Sequence, residues 1–293
     1  MVTLSRHFYC TMLAEFTKIA MFLHIKRIIE KFLSTHVGRF FRALPAPILR
    51  GPNAGRWWSI ATGTRYFRGK FVPGKAAALP LLLQPGETVW DIGAHRGYTV
   101  LLESRLVGPQ GRVFAFEPNP DSRDFLERHV RWNRSANVTV FPWAIGGGAG
   151  ELSFGWEPAG SRSTLACHLG GQGLRVTVKG IDQLIAAGTV PAPTFIKIDI
   201  EGAELDALQG AANLLAHERR LAIALATHSR TLHDQCSTLL RTMGFAVFEA
   251  DNVTIARQEG WPAIGDADVL AFRPERGVSA ETLAAFRCIG RHG

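Results

Sequence analysis

From Thr88 onward the chain alternates short apolar runs with longer amphipathic segments, each bounded by Gly, Pro, Asn or Asp. The runs predict strands at Thr88 to Ile92, Arg112 to Glu117, Val138 to Ala144, Thr194 to Ile200 and Leu221 to Ala226. The amphipathic segments predict helices at Tyr98 to Val107, Asp121 to about Asn133, Ile181 to Ala187, Ala203 to Ala216 and Leu232 to Met243. Such alternation builds a mostly parallel twisted sheet with helices on both faces. Glu151 to Trp156 and Leu174 to Lys179 read as added strands around a Gly- and Ser-rich loop. Phe245 to Ala250 and Asp268 to Phe272 read as last strands, expected antiparallel. Ala76 to Leu83 reads as a short helix and Ala280 to Phe286 as a weak one.

The front of the chain has a different pattern. Met1 to Leu44 contains no proline and reads as helical, with Phe22, Ile25, Ile29, Phe32 and Leu33 on one face and Lys26, Arg27, Glu30 and Lys31 on the other. Met12, Phe16, Ile19 and Leu23 project to another side, which predicts a break or two partners. The stretch is interrupted by lysines too often to span a bilayer or to serve as a signal peptide. It is a helix lying on an anionic membrane surface, or a cap packed on the main domain or on a second copy in a homodimer. Pro45, Pro47, Gly51, Pro52 and Gly55 mark a linker.

Composition adds three constraints. A hydrophobic share of 46% in 293 residues supplies a real core. The net charge of +8 is concentrated in the first 70 residues, which hold twelve Lys/Arg against Glu15 and Glu30, so the remainder is close to neutral. The aromatic and basic segment from Trp57 to Phe71 could stack on bases, but no further basic cluster follows. It reads instead as a lid or edge element, and no nucleic-acid partner is expected. Cys10, Cys167, Cys236 and Cys288 show no Cys-x-x-Cys spacing, so a zinc site is not expected and free thiols in a reducing, cytoplasmic setting are. Asn133, Asn137 and Asn252 begin Asn-x-Ser/Thr triplets too common to argue for secretion.

Chemistry gathers at strand ends. Val89 to Thr99 reads Val-Trp-Asp-Ile-Gly-Ala-His-Arg-Gly-Tyr-Thr, a strand, a glycine turn and a helix start. A dinucleotide turn wants Gly-x-Gly-x-x-Gly. Here His95 stands at the middle position, and Asp91 precedes the first glycine, Gly93, by two. This suits a cationic ligand without phosphates, and S-adenosylmethionine fits, with its ammonium and sulfonium. His95 is either a ligand contact or a brace of the loop. Glu117, ending the second strand, lies where an acid would accept from ribose hydroxyls. Asp199 and Glu201 leave the Phe195-Ile196-Lys197-Ile198 strand at the same sheet edge. They could hold a cation or supply a general base, or they could simply decorate a helix start. His228, after the Leu221 to Ala226 strand, could take a proton from a hydroxyl or cap a loop. Neither a Gly-x-Ser-x-Gly motif nor a phosphate-binding loop is present.

These motifs, with Phe-Glu-Pro-Asn-Pro, Ala144-Ile145-Gly146 and Ile-Lys-Ile-Asp-Ile-Glu-Gly-Ala-Glu, occur in the order and spacing that resemble the FkbM family of S-adenosylmethionine-dependent methyltransferases over about residues 65 to 250. The resemblance implies an α/β, class I (Rossmann-like) methyltransferase fold carrying an N-terminal helical extension. It implies methyl transfer to a hydroxyl of a sugar, glycolipid or secondary metabolite. Gly93, Ala94 and Gly97 would line the methionine moiety, Glu117 the ribose and Ala144 the adenine, with Asp91, His95 and Asn119 also on the cofactor side. Asp199 and Glu201 would face the reacting centre, with Asp199 or His228 as base. His95 stands where the family's turn usually has Asn. The expected organisation is a basic helical extension and linker at 1–50, the methyltransferase domain at 51–275 and a tail at 276–293. The partners expected are a small-molecule or saccharide acceptor and peripheral membrane contact through 1–44. A divalent cation at Asp199 and Glu201 is not favoured. The competing classes are a nicotinamide-dependent oxidoreductase, disfavoured by the missing middle glycine, and a non-catalytic membrane-associated module.

Overall fold

The computed structural model describes residues 44–69, 71, 73–154, 174–250, 267–279 and 282. The predicted N-terminal helix, the Gly- and Ser-rich loop and the predicted Ala280 to Phe286 helix therefore lie outside, or almost wholly outside, the described residues. The chain divides into two units, Met1–Ala46 with Ser59–Gly63 and Pro47–Trp58 with Thr64–Gly293. The described part of the first includes a 3-10 turn, Ile60–Thr62, capped by the Ser59 hydroxyl, which accepts from Ala61 N.

In chain order the short strands β1 (Pro45–Pro47) and β2 (Trp57–Ser59) precede helices α1 (Thr64–Phe67) and α2 (Pro73–Leu82). The alternating part follows: β3 (Thr88–Ile92), α3 (Tyr98–Val107), β4 (Arg112–Phe116), α4 (Pro120–Trp132) and β5 (Val138–Phe141). Then come β6 (Ala144–Gly146), β7 (Gly150–Phe154), β8 (Leu174–Gly180), α5 (Ile181–Ala186), β9 (Phe195–Ile198), α6 (Glu204–Gln209) and α7 (Ala212–His217). The last elements are β10 (Ala222–Thr227), α8 (Arg230–Thr242), β11 (Ala246–Ala250) and β12 (Ala267–Phe272).

Seven strands form one sheet in the order β11-β12-β10-β9-β3-β4-β5. The five from β5 to β10 are parallel, and β12 runs antiparallel to both β10 and β11. The expectation of antiparallel last strands thus holds for β12, while β11 runs with the parallel set. The strand order reverses between β3 and β9, so the crevice at their carboxyl ends is the switch point where open α/β sheets bind ligands.

Period-two alternation supplies both cores. Trp90, Ile92, Phe114, Phe116, Ile196 and Ile198 face one side, under α5, α6, α7 and α8. Val89, Val113, Ala115 and Phe195 face the other, under α2, α3 and α4. The predicted strand from Val138 to Ala144 is two strands, because Pro142 and Trp143 interrupt it. β6 leaves the main sheet and joins β7 and β8 in a small sheet of its own. The predicted helix from Ala203 to Ala216 is also two. It breaks at Gly210, where a Cβ would lie 2.4 Å from the Gly146 carbonyl oxygen.

Arg276 ties the chain past β12 back to the fold. Its buried guanidinium pairs with Glu87 at 2.8 Å and donates to the carbonyls of Leu82, Thr194 and Arg220.

Candidate active site

The glycine turn follows β3 and is bound to β4 by backbone hydrogen bonds from Gly93 N and Ala94 N to Phe116 O. Gly93 has φ 77, and a Cβ there would sit 1.9 Å from the Asp199 carbonyl oxygen, so the turn and the end of β9 close on each other only with glycine. His95 also holds a left-handed backbone, φ 49, and Gly97 caps α3 at φ 86.

A buried polar cluster holds this turn from behind. Alternation puts Asp91 and Lys197 on the α3 face, and the register sets them directly opposite one another. Lys197 Nζ meets Asp91 Oδ1 at 2.8 Å and donates to Gly93 O at 2.7 Å, while Thr99 Oγ1 donates to Asp91 Oδ2 at 2.6 Å. Asp91 is fully buried, with both oxygens engaged. Glu103, one helical turn on from Thr99, is buried beside them. Burial and the Asp91 charge push its carboxyl well above the usual carboxylate range.

Glu117 connects the two loops of the crevice. Its Oε2 accepts from His95 N at 2.6 Å and its Oε1 from Asn119 N at 2.9 Å. Burial pushes the carboxyl up to about 7, against the pull of those two amides. Asn119 caps α4, its Oδ1 accepting from Asp121 N and Ser122 N. Burial, with Arg96 and Lys197 nearby, brings His95 down to about 3, so its ring adds no positive charge to the turn. Ala144 is buried at the start of β6.

The third group lies past β9 and β10. His228 Nδ1 is 2.8 Å from Glu204 Oε1, and its Nε2 lies 3.6 Å from Asp199 Oδ1 and 3.5 Å from Glu201 Oε2. Burial alone would push His228 down. The hydrogen bond and charge of Glu204, with Glu201 and Asp199, overturn this and raise it to about 9, so the ring is protonated at neutral pH. Glu204 is fully buried and accepts from Ile200 N and Gly202 N as well. Glu201 has φ 56, a left-handed backbone that aims this loop at the ring. Asp199 and Glu201 keep 26% and 33% side-chain exposure and face the crevice mouth. Three carboxylates against one imidazolium leave it net negative.

The structure thus gathers Asp199, Glu201 and His228 into one cluster and sets Gly93, Ala94, His95, Gly97, Glu117 and Asn119 along adjoining loops. Asp91 stands one layer behind. Sequence reasoning did not single out Lys197, Thr99, Glu103 or Glu204. A lysine inside the apolar run Phe195 to Ile198 was the readable signal, because a buried ammonium must be paired. Among the described residues no group of three or more His, Cys, Asp or Glu is placed to hold a metal ion.

Trp58 and Tyr66 pack with Tyr98 and Leu101 at the start of α3. Trp58 stacks on His129 of α4 at 3.6 Å between ring centroids, and Tyr66, Phe71 and Tyr98 complete an aromatic cluster.

A parallel sheet of this order, with a glycine turn and acidic strand ends at its switch point, defines a class I, Rossmann-like methyltransferase domain. The family description "Methyltransferase FkbM domain" matches residues 91–247, and the chain belongs to that family. It is 33% identical over 163 residues to the hexuronic acid methyltransferase AglP of Haloferax volcanii, covering 54% of this chain and 65% of that protein. It is 40% identical over 60 residues to a protein-L-isoaspartate O-methyltransferase of Aeropyrum pernix, covering 20% of this chain and 23% of that one. The chain thus spans just under two thirds of the first relative and about a quarter of the second. Among solved structures it is similar to a precorrin-6y C5,15-methyltransferase of Geobacter metallireducens, with 18% identity, a TM-score of 0.44, and coverage of 68% of this chain and 86% of that one.

Proposed function

We propose that this chain is an S-adenosylmethionine-dependent O-methyltransferase acting on a hydroxyl of a sugar, glycolipid or secondary metabolite. A hexuronic acid residue is the acceptor class that the Haloferax relative suggests. The observation that carries the reading is the net-negative cluster of Asp199, Glu201, His228 and Glu204 beside the glycine turn. It suits a ligand bearing a sulfonium and an ammonium, and the neutral His95 ring does not repel one.

Gly93, Ala94, His95 and Gly97 would hold the methionine part of the cofactor, with Glu117 and Asn119 toward the ribose and Ala144 toward the adenine. Each Glu117 oxygen accepts one amide and keeps a second lone pair for a hydroxyl. The cofactor supplies an already electrophilic methyl group. The protein has to align a hydroxyl with it and take the proton. Asp199 is the acceptor of that proton. His228 already carries one, and it positions Asp199 and Glu201 through its charge. Asp91 acts through Lys197, holding the Gly93 carbonyl and so the shape of the turn.

Nothing in the site favours the nicotinamide-dependent alternative, and the partly exposed Asp199 and Glu201 argue against a module without chemistry. A cytoplasmic setting fits the cysteine pattern. Cys236 is a buried free thiol that burial pushes up to about 12. No helix among the described residues is long and apolar enough to cross a membrane. Membrane contact or dimerisation through residues 1–44 rests on the sequence pattern of that segment alone.

The test is Asp199→Asn, assayed by tritiated methyl transfer to a panel of hexuronic acids and their glycosides. Turnover should fall at least ~100-fold, with S-adenosylmethionine affinity by calorimetry kept within a few-fold. Wild-type turnover in the variant would remove Asp199 from the reaction.

A further inference from the structure

At the sheet edge opposite the active-site crevice lies a cleft of about 790 Å³, within the size range of small-molecule sites. Its walls come from the turn before β2, the last turn of α3, the loop into β4 and the loop into β5. Arg56, Arg105, Arg112 and Arg134 line it, and no Asp or Glu does. None of the four forms an ion pair among the described residues.

The walls are held together by uncharged groups. Asn137 Nδ2 donates to Ser104 O and Gly108 O, and Ser104 Oγ donates to Asn137 Oδ1 at 2.6 Å. Asn133 exchanges hydrogen bonds with both the N–H and the carbonyl of Trp57, fixing the turn that carries Arg56. Asn137 and Gly111 N satisfy the Gly108 carbonyl, muting the negative end of α3 that would otherwise oppose an anion. Arg134, which lines the cleft, holds a left-handed backbone at φ 52 in the loop into β5. The buried Ser135 Oγ beside it has no hydrogen-bond partner among the described residues.

We propose that this cleft is a binding site for a phosphate-bearing ligand, with a diphosphate group as the best match to four guanidiniums. Arginine forks pair phosphate oxygens two at a time. A bound anion offsets the mutual repulsion of four like charges with no acid among them. The Arg56 guanidinium is held below its usual range by burial and by the Arg105 charge. The phosphate could belong to a soluble diphosphate ester or to a lipid headgroup, and the chemistry of recognition is the same.

Calorimetry of the full chain with inorganic pyrophosphate, against sulfate at equal ionic strength, tests the site. Pyrophosphate should bind more tightly than sulfate and weaken with salt. Arg105→Ala and Arg134→Ala should each lower its affinity at least roughly tenfold, the scale of one lost charge-assisted contact. Arg219→Ala, far from the cleft, should leave affinity unchanged, and unfolding midpoints report that the variants are folded. Flotation with phosphatidylcholine vesicles with and without phosphatidic acid identifies the source. Flotation lost in the same two variants assigns the phosphate to a headgroup, and pyrophosphate binding without flotation assigns it to a soluble ester. Equal affinity for pyrophosphate and sulfate, or unchanged affinity in both variants, overturns the proposal.

Discussion

Replacing Glu204 by Gln isolates the charge that keeps His228 protonated. In the folded protein the ring lies at about 9 instead of 6.5, a difference worth about 3 kcal/mol. The ring is only 13% exposed, so solvent removes little of this. Because the folded value is the higher one, the stabilisation is complete below pH ~6.5 and is lost as pH rises from there to about 9. Gln keeps the volume and an acceptor for one loop amide or for Nδ1, but removes the negative charge at 2.8 Å. Asp199 and Glu201 remain at 3.6 and 3.5 Å, so the ring should drop by about one to two pH units rather than to its free value. The assay is an NMR titration of the imidazole, assigned by comparison with His228→Asn. Urea unfolding of wild type and variant between pH 6 and 9.5 gives the linked stability. The variant should lose ~1–3 kcal/mol near pH 6.5, and the gap should close toward pH 9.5. A wild-type ring titrating near 6.5, or one unmoved by the substitution, would refute the electrostatic account of this site.

Three further substitutions probe the glycine turn. Lys197→Met removes the ammonium from the buried Asp91 carboxylate and leaves it the Thr99 hydroxyl and the neighbouring Glu103 carboxyl. Urea unfolding should register a loss of ~3–5 kcal/mol, partly recovered in Asp91→Asn/Lys197→Met, and a loss under ~1 kcal/mol would contradict the pairing. Gly93→Ala drives a Cβ into the Asp199 backbone and should abolish the folded turn. Gly97→Ala meets only the Leu126 Cδ1 tip at 2.5 Å and should cost ~1–2 kcal/mol, mostly for its left-handed φ of 86; thermal unfolding ranks the two.

Much of the frame was legible in the chain. Tyr98–Val107 falls on the predicted helix, and β3, β4, β9 and β10 lie within a residue or two of their apolar runs, because a strand buried on both faces can carry little else. The misreadings have local causes with distant partners. Pro142 stops a strand, but that β6 then joins a different sheet depends on β8 lying ready to pair with it. The break at Gly210 depends on the Gly146 carbonyl, far away in sequence. The place of β12 between β10 and β11 is a matter of pairing, which local pattern does not encode.

The candidate site divides the same way. The sequence by itself determined which acids stand at strand ends and that the turn needs glycine and tolerates His95, because these follow from periodicity and from φ/ψ space. Only the tertiary structure decided that Asp91 belongs to Lys197, that Glu117 is taken up by the amides of His95 and Asn119, and that Glu204 holds His228 charged. Charge states and hydrogen-bond partners in a crevice depend on burial and on distances of a few ångströms between segments remote in the chain. Those distances exist only once the sheet has brought β3, β9 and β10 side by side.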